Sequence, residues 1–229
     1  FKPLTDQEIE KVLAPGENSH ETADLIIFSY NRPLQLYALL ESTQKYITGL
    51  GSITVLYRVD DEQYEAAYCL LATSFPHVQF IAQSRANPHA DFKQNVCTIF
   101  DQTPSSYVLF AVDDIIVKDY VNIAHCICAL QKTHAYGFYL RLGSNLNYCY
   151  NIQQGQHVPH LIPIEGENIF AWQFRYSMGD WAYPNTVDMT LYKKNDVAKA
   201  IYTLNYNNPS DLEGEWYNPE YVDLHKVGL

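Results

Sequence analysis

Residues 107–114 read Tyr107-Val108-Leu109-Phe110-Ala111-Val112-Asp113-Asp114. Six apolar residues in a row, with β-branched and aromatic members, predict a strand buried on both faces. Such strands belong to parallel sheets covered by helices. The run ends on two adjacent carboxylates, and Ile115-Ile116-Val117 restores the apolar character at once. Packing gives no reason for a buried strand to run into two like charges. Side by side they repel, and they call for a cation or several hydrogen-bond donors. Ligands of open α/β sheets bind at the carboxyl ends of the strands, so Asp113-Asp114 is a candidate functional pair.

The same pattern extends outward from this stretch. Leu25-Ile26-Ile27-Phe28 predicts a first buried strand, followed by Ser29-Tyr30-Asn31-Arg32-Pro33. Asn31 is placed to cap a helix and Pro33 to occupy its first turn. Leu36, Leu39, Leu40 and Thr43 continue at helical spacing, and Gly49 and Gly51 are expected to close the unit. Ile53 to Tyr57 is a second strand that runs into Asp60-Asp61, and Tyr64, Ala67, Tyr68 and Leu71 mark the next helix face. Val78 to Ile81 is a third strand, with Phe92, Val96, Ile99 and Phe100 on a third helix. Beyond Asp114 come a helix from about Tyr120 to Thr133 and a strand over Phe138 to Leu142. Strand–helix alternation of this kind predicts an α/β fold with a mostly parallel sheet flanked by helices.

Residues 1–23 are polar, contain Pro15-Gly16, and are expected to form a lead-in helix and loop. After Gly143 the alternation stops. Residues 144–190 are rich in Asn, Gln, Gly, Pro and aromatics, with one strand expected over Ile169 to Tyr176. Asn195 or Asp196 then opens a helix bearing Val197, Ala200, Ile201 and Leu204. The expected organisation is a lead-in (1–23), a nucleotide-binding-like half (24–143) and an irregular half (144–229) that supplies a second substrate site, all in one compact domain.

Composition narrows the function. With 47% hydrophobic and 18% charged residues among 229, the chain can offset its ordering entropy by burial, which excludes disorder as its main state. No apolar run approaches the ~18 residues of a spanning helix, so no transmembrane segment is expected. No secretory signal opens the chain. It begins on Phe1, which reads as trimmed and leaves an upstream targeting segment open. The net charge of −11 repels nucleic acid and anionic membranes and suits divalent cations. An anionic substrate would need local basic groups or a metal. The five cysteines are odd in number and lack zinc spacing, and Cys126-x-Cys128 is too tight for a redox pair. They read as reduced core thiols in a cytoplasm-like compartment, with peripheral membrane association left open. The 19 tyrosines suit pockets for rings and sugars as well as cores.

No GxGxxG and no Walker A sequence is present, which argues against a dinucleotide dehydrogenase or a P-loop kinase. Ser29, Tyr30, Asn31 and Arg32 offer hydroxyls, an amide and a guanidinium to a base, ribose or phosphate. Asp60 and Asp61 either meet that ligand or cap the following helix. Arg85, Asn87, His89 and Lys93 form a basic stretch before and on the third helix, suited to a diphosphate or simply to solvent.

This order of features resembles a glycosyltransferase of the GT-A fold, similar to the family 2-like enzymes, closely over residues 24–143 and loosely beyond. The resemblance implies that Ser29, Tyr30, Asn31 and Arg32 hold a nucleotide, and that Asp60 or Asp61 meets its base. It implies that Lys93 lies near the diphosphate and Asp113 near the ribose or the metal's waters. Val112-Asp113-Asp114 stands where the family has a DxD-type signature, with Val112 in place of the first Asp. Asp114 would then hold Mn2+ or Mg2+, with His225 as a further ligand. On the acceptor side, Asp188-Met189-Thr190-Leu191-Tyr192, a helix, and Asn208 to Trp216 resemble a segment ending in Pro-x-x-Leu-Glu. An inverting transferase needs a carboxylate to take the acceptor hydroxyl's proton. Glu213 is the first candidate, with Asp180 and Asp211 behind it. An acidic first helical turn is the alternative for Asp211 and Glu213. Trp172, Trp181 and Trp216 either stack on sugars or pack the core. The expected activity is metal-assisted transfer of a sugar from a nucleotide-diphospho-sugar to a hydroxyl of a glycan or other acceptor. The rivals are a sugar nucleotidyltransferase, whose Gly-rich basic loop is not visible, and a catalytically inactive module that keeps the fold and binds sugar or nucleotide.

Overall fold

Alternate residues along β1 (Ala23–Tyr30) and β4 (Tyr107–Val112) enter two different cores, so helices must cover both faces of the sheet. The computed structural model describes residues 21–218, 220, 221 and 223–229. The lead-in helix expected over residues 1–20 lies outside them, and Ala23 already belongs to β1. Strands β1, β2 (Leu50–Arg58), β3 (Val78–Ala82) and β4 pair in parallel in the order β4-β1-β2-β3. They are connected by α1 (Pro33–Tyr46), α2 (Glu62–Ser74) and α3 (Pro88–Gln102). Leu25, Ile27, Leu109 and Ala111 meet Leu36, Leu39 and Leu71 on one face. Ile26, Phe28, Val108 and Phe110 meet Phe92, Val96 and Phe100 on the other.

The second half extends this same sheet. After α4 (Ile123–Thr133) come β5 (Gly137–Tyr139), β6 (Ile162–Pro163), β7 (Phe170–Gln173) and β8 (Thr190–Lys193). Helices α5 (Lys194–Thr203) and α6 (Pro209–Trp216) follow, then β9 (Val227–Gly228). The nine strands run β6-β7-β9-β5-β8-β4-β1-β2-β3. Strand β8 lies antiparallel between β4 and β5, with Leu191 and Tyr192 fully buried. The sequence pattern does not mark this strand, because it is only four residues long and Thr190 and Lys193 break its apolar character. Two expected strands are trimmed: β5 stops at Tyr139, and residues after Gln173 turn into a 3-10 helix, Phe174–Tyr176.

Gly49 makes the turn after α1 with φ +81°, but Gly51 lies inside β2 and does not close the unit. A Cβ at Gly51 would stand 2.5 Å from Asp24 Oδ1. Asp24 is fully buried at the start of β1, where it accepts hydrogen bonds from Ser52 N (2.7 Å), Ser52 Oγ (2.8 Å) and Ser105 N (2.8 Å). One carboxylate thus ties β1 to β2 and to the loop before β4, with its charge satisfied by donors. Trp172, Trp181 and Trp216 are all core residues. The five cysteines are free thiols, and burial pushes Cys126 up to about 12. Among the described residues, no helix is long and apolar enough to cross a membrane.

Candidate active site

The carboxyl ends of β1, β2, β3 and β4 open into a cleft of about 650 Å³. Its walls carry Tyr30 at the end of β1 and Arg32 after it, Arg58 at the end of β2, Gln83 after β3, and Asp113 and Asp114 after β4. Asp113 is only 4% exposed; its Oδ2 accepts from Ser29 Oγ (2.8 Å) and Tyr30 N (3.0 Å). The buried half of the Asp pair therefore braces the β1 loop. Asp114 is half-exposed and accepts from Arg32 Nη1 at 2.7 Å, and the same nitrogen lies 3.4 Å from Asp113 Oδ1. Asp113 first and Asp114 second hold the Arg32 guanidinium above its usual pKa.

Asn31 does not cap α1. It adopts φ +52°, a region Asn tolerates better than most residues, and its amide exchanges two hydrogen bonds with Asp60. Asp60 also accepts from Tyr30 Oη and Arg58 Nη2, and these donors, Tyr30 foremost, hold its carboxyl below the ordinary range. Arg58 lies over the Tyr30 ring at 4.7 Å. Tyr30, Asn31, Arg58 and Asp60 thus form one preassembled rim built from the ends of β1 and β2. Asp61, by contrast, caps α2 by accepting from Gln63 N and Tyr64 N, both at 2.9 Å, and it does not line the cleft.

The other wall comes from the second half of the chain. Val187, Asp188, Asn207, Asn208 and Glu213 face the strand ends. A smaller adjoining pocket of about 250 Å³ is lined by Arg141, Asn151, Asp180, Tyr183 and others, and it shares Asn151, Asp188 and Glu213 with the main cleft. Those three residues form the junction of the two compartments.

The segment bearing Asp188 is anchored from below. Pro184 O accepts from the buried hydroxyls of Tyr139 (2.6 Å) and Tyr192 (2.7 Å), and Thr186 N donates to Tyr192 Oη (3.0 Å). Buried Asn185 donates to Trp216 O at 2.8 Å, joining the segment to α6. Buried loops need such partners for their backbone groups. Glu213 Oε1 accepts from Val187 N at 2.7 Å, which sets this carboxylate beside residue 188. Asp188 is followed by Met189 at φ +37°, a strained conformation for a bulky residue. Desolvation, and then the charge of Glu213, push the Asp188 carboxyl up to about 6. Asp114 and Asp180 add to this rise and Arg141 opposes it.

The structure therefore brings Ser29, Tyr30, Arg32, Asp113, Asp114 and Glu213 to one cleft, with Asn31 and Asp60 on its rim. Other candidates lie elsewhere. Lys93 follows buried Phe92 on α3, and its Nζ sits 5.8 Å from the Tyr206 ring centroid, outside the cleft lining. Arg32 and Arg58 supply the positive charge at the cleft. Asp211 lies in the first turn of α6 and accepts from Asn207 N at 3.3 Å; it lines neither compartment. Asp180 lines only the smaller pocket, where it is bound to Gln156 Nε2 (2.9 Å) and faces Arg141 Nη1 (3.6 Å). His225 precedes β9, which the pairing of β9 with β5, β5 with β8 and β8 with β4 makes parallel to β4. It therefore stands at the edge of the sheet opposite Asp114 and does not join it. Arg58 and Arg141 are not singled out in sequence, and Asp188 is quoted there as the start of the acceptor-side segment but not as a candidate base. The available signal was a carboxylate placed just before Met189, Leu191 and Tyr192.

The strand order and the position of the cleft define a GT-A-type glycosyltransferase fold. No protein-family model matches the chain. In a match 198 residues long that covers 77% of this chain, it is 27% identical to the bifunctional glycosyltransferase pgtA of Dictyostelium discoideum, and it spans 24% of that protein. S. aureus TarS residues 1–349 share the fold with a TM-score of 0.50 at 15% identity, over 85% of this chain and 53% of that one. A further TarS structure matches at a TM-score of 0.50 and 14% identity, over 78% and 29%.

Proposed function

We propose that this chain transfers a sugar from a nucleotide-diphospho-sugar to a hydroxyl of a glycan or other acceptor. The observation that carries this reading is the meeting of two compartments, one at the strand ends that carries Arg32 and Arg58 and a smaller one beside it, at Asp188 and Glu213. The likeness to pgtA, a glycosyltransferase by name, supports it. The nucleotide would lie along the rim made by Tyr30, Asn31, Arg58 and Asp60. Arg32 and Arg58 would face the diphosphate, and the acceptor would enter the smaller pocket.

In the transfer, the acceptor oxygen bonds to the anomeric carbon as that carbon's bond to the diphosphate breaks. The electron pair leaves with the diphosphate and the hydroxyl proton passes to Asp188. A carboxylate that titrates near neutrality is well matched to this task. Glu213, held by Val187 N, raises the proton affinity of Asp188 and is the second candidate for the base. Mn2+ or Mg2+ would take Asp114 in exchange for its ion pair with Arg32, now at 2.7 Å. Asp113 is occupied by Ser29 and Tyr30, and among the described residues no group of three His, Cys, Asp or Glu could hold a metal. Asp114 would therefore hold an ion whose other ligands are diphosphate oxygens and water. Such an ion would neutralise charge on the leaving diphosphate.

The test is a panel of nucleotide-sugars and sugar acceptors, read as release of nucleoside diphosphate. Acceptor-dependent release that Asp188→Asn lowers by about 10²- to 10⁴-fold, with donor binding retained, supports the proposal. Donor binding without any turnover would make the chain an inactive binding module. Absence of donor binding across the panel would refute the proposal.

A further inference from the structure

One side of the smaller pocket is a two-stranded hairpin, Tyr148–Cys149 against Gln154–Gly155, which contributes Cys149, Asn151 and Ile152 to the lining. Gln156 locks it in place. Its Nε2 donates to Asp180 Oδ2 and its Oε1 accepts from Asp180 N, both at 2.9 Å, while its backbone N donates to Asn147 O at 2.9 Å. Side chains alternate along an extended strand. Cys149 and Asn151 accordingly face the pocket, and Tyr148 and Tyr150 do not line it. Tyr150 is 80% exposed and meets Tyr148 edge-on, at 4.9 Å and 70°. Most of the Tyr150 ring is therefore open to solvent.

The composition around these tyrosines is unusual for this chain. Residues 142–164 contain no Asp, Glu, Lys or Arg, in a chain that averages 18% of them, and they carry six Asn and Gln instead. Folding leaves Asn151 uncommitted: it lines both compartments, and its amide bonds to no other described residue. An amide offers two donors and an acceptor, which match neighbouring hydroxyls of a sugar. An exposed aromatic ring matches the apolar face of a pyranose. This surface gives an ionic partner nothing to pair with. A protein partner needs on the order of 1,000 Å² of contact, whereas Tyr148, Tyr150 and Ile152 are three apolar side chains set among exposed amides.

Building on the proposed transfer, we infer that the acceptor is an oligosaccharide whose terminal ring enters the smaller pocket against Asn151 while a following ring stacks on Tyr150 outside it. The two residues are adjacent, with Cα atoms about 3.8 Å apart. A saccharide that crosses the hairpin tip therefore reaches the tyrosines beyond its first ring, and units past the terminal one add affinity.

Binding without donor tests this, by calorimetry on mono- to tetrasaccharides of glucose, galactose, mannose and N-acetylglucosamine. In at least one series the tetrasaccharide should bind about tenfold more tightly than the monosaccharide. Equal affinity at every length, or no binding in any series, would overturn the inference. Tyr150→Ala should weaken tetrasaccharide binding about three- to tenfold, the scale of a stacking contact. Tyr150→Phe, which keeps the ring, should bind the tetrasaccharide like the parent. Equal loss in both variants, or no loss in either, would refute the stacking role. Tyr150 is exposed, so both variants should melt with the parent. Asn151→Ala should weaken mono- and tetrasaccharide by the same factor, because its amide meets the first ring; loss confined to the tetrasaccharide would overturn that placement. Sedimentation velocity covers the competing occupant: a dimer of the parent that Tyr150→Ala dissolves would make the hairpin a contact between copies and overturn the inference. None of these measurements needs turnover. Length-dependent saccharide binding without nucleotide-sugar binding would sink the transferase reading alone, and the reverse result would sink this inference alone.

Discussion

Asp188→Asn should cut transfer by orders of magnitude and stabilise the fold at once. The carboxyl is raised from an ordinary 3.8 to about 6, chiefly by desolvation and then by Glu213. A raised carboxyl binds its proton more tightly in the folded chain, so its ionised form opposes folding. The cost is fully present above the folded pKa and disappears as pH falls below the unfolded one. A shift of about 2 units corresponds to roughly 3 kcal/mol at pH 8, about half of that at pH 5, and almost nothing at pH 3. Asparagine has the same shape and no charge, so it should relieve most of this cost. For a domain of this size each kcal/mol moves the midpoint by about 2–4 °C, and a gain of several degrees is expected at pH 8. The assay is thermal unfolding of parent and variant between pH 4 and pH 8, followed by circular dichroism. The gap should be widest at pH 8 and close toward pH 4. A variant that melts with the parent, or below it, at pH 8 would refute the claim that this carboxylate is held against its own solvation. The claim that stability is given up there for proton transfer would fall with it.

Glu213→Gln keeps the acceptor for Val187 N and removes the charge that raises Asp188. It should shift the acid limb of turnover below pH 6 with only a modest loss of rate. A fall as deep as that of Asp188→Asn would move the base to Glu213. A nucleoside diphosphate should bind more tightly with Mn2+ than without it, and Asp114→Ala should erase the difference. Calorimetry that finds equal affinity in the parent protein would remove the ion from the site. Asp24→Ala strips three donors of their buried acceptor and should cost about 3 kcal/mol or more in urea unfolding; a loss under 1 kcal/mol would show that Ser52 and Ser105 find other partners.

The central parallel strands β1 and β4 could be read from the sequence because each is a run of adjacent apolar residues buried on both faces, and such runs leave a local record, while β2 and the edge strand β3 are only partly buried and showed as shorter runs between turn signals. Leu25 to Phe28 and Tyr107 to Val112 carried it plainly, and so did the carboxylates at the strand ends. Strand β8 left almost no record: four residues become central only because β4 and β5 stand on either side of them. The division of labour within each Asp pair was equally hidden. Asp60 and Asp61 are adjacent in sequence, yet Asn31, with its positive φ, draws one to the cleft rim while the start of α2 takes the other. Lys93 and His225 had suitable chemistry and were placed elsewhere by the packing of Phe92 and by the parallel direction of β9. Asp188 became a site residue when buried tyrosines fixed Pro184 and Thr186 beneath it and α6 brought Glu213 alongside. Local periodicity reports which residues must leave water; which charges then converge depends on contacts between residues far apart in the chain, and those exist only once the sheet has formed.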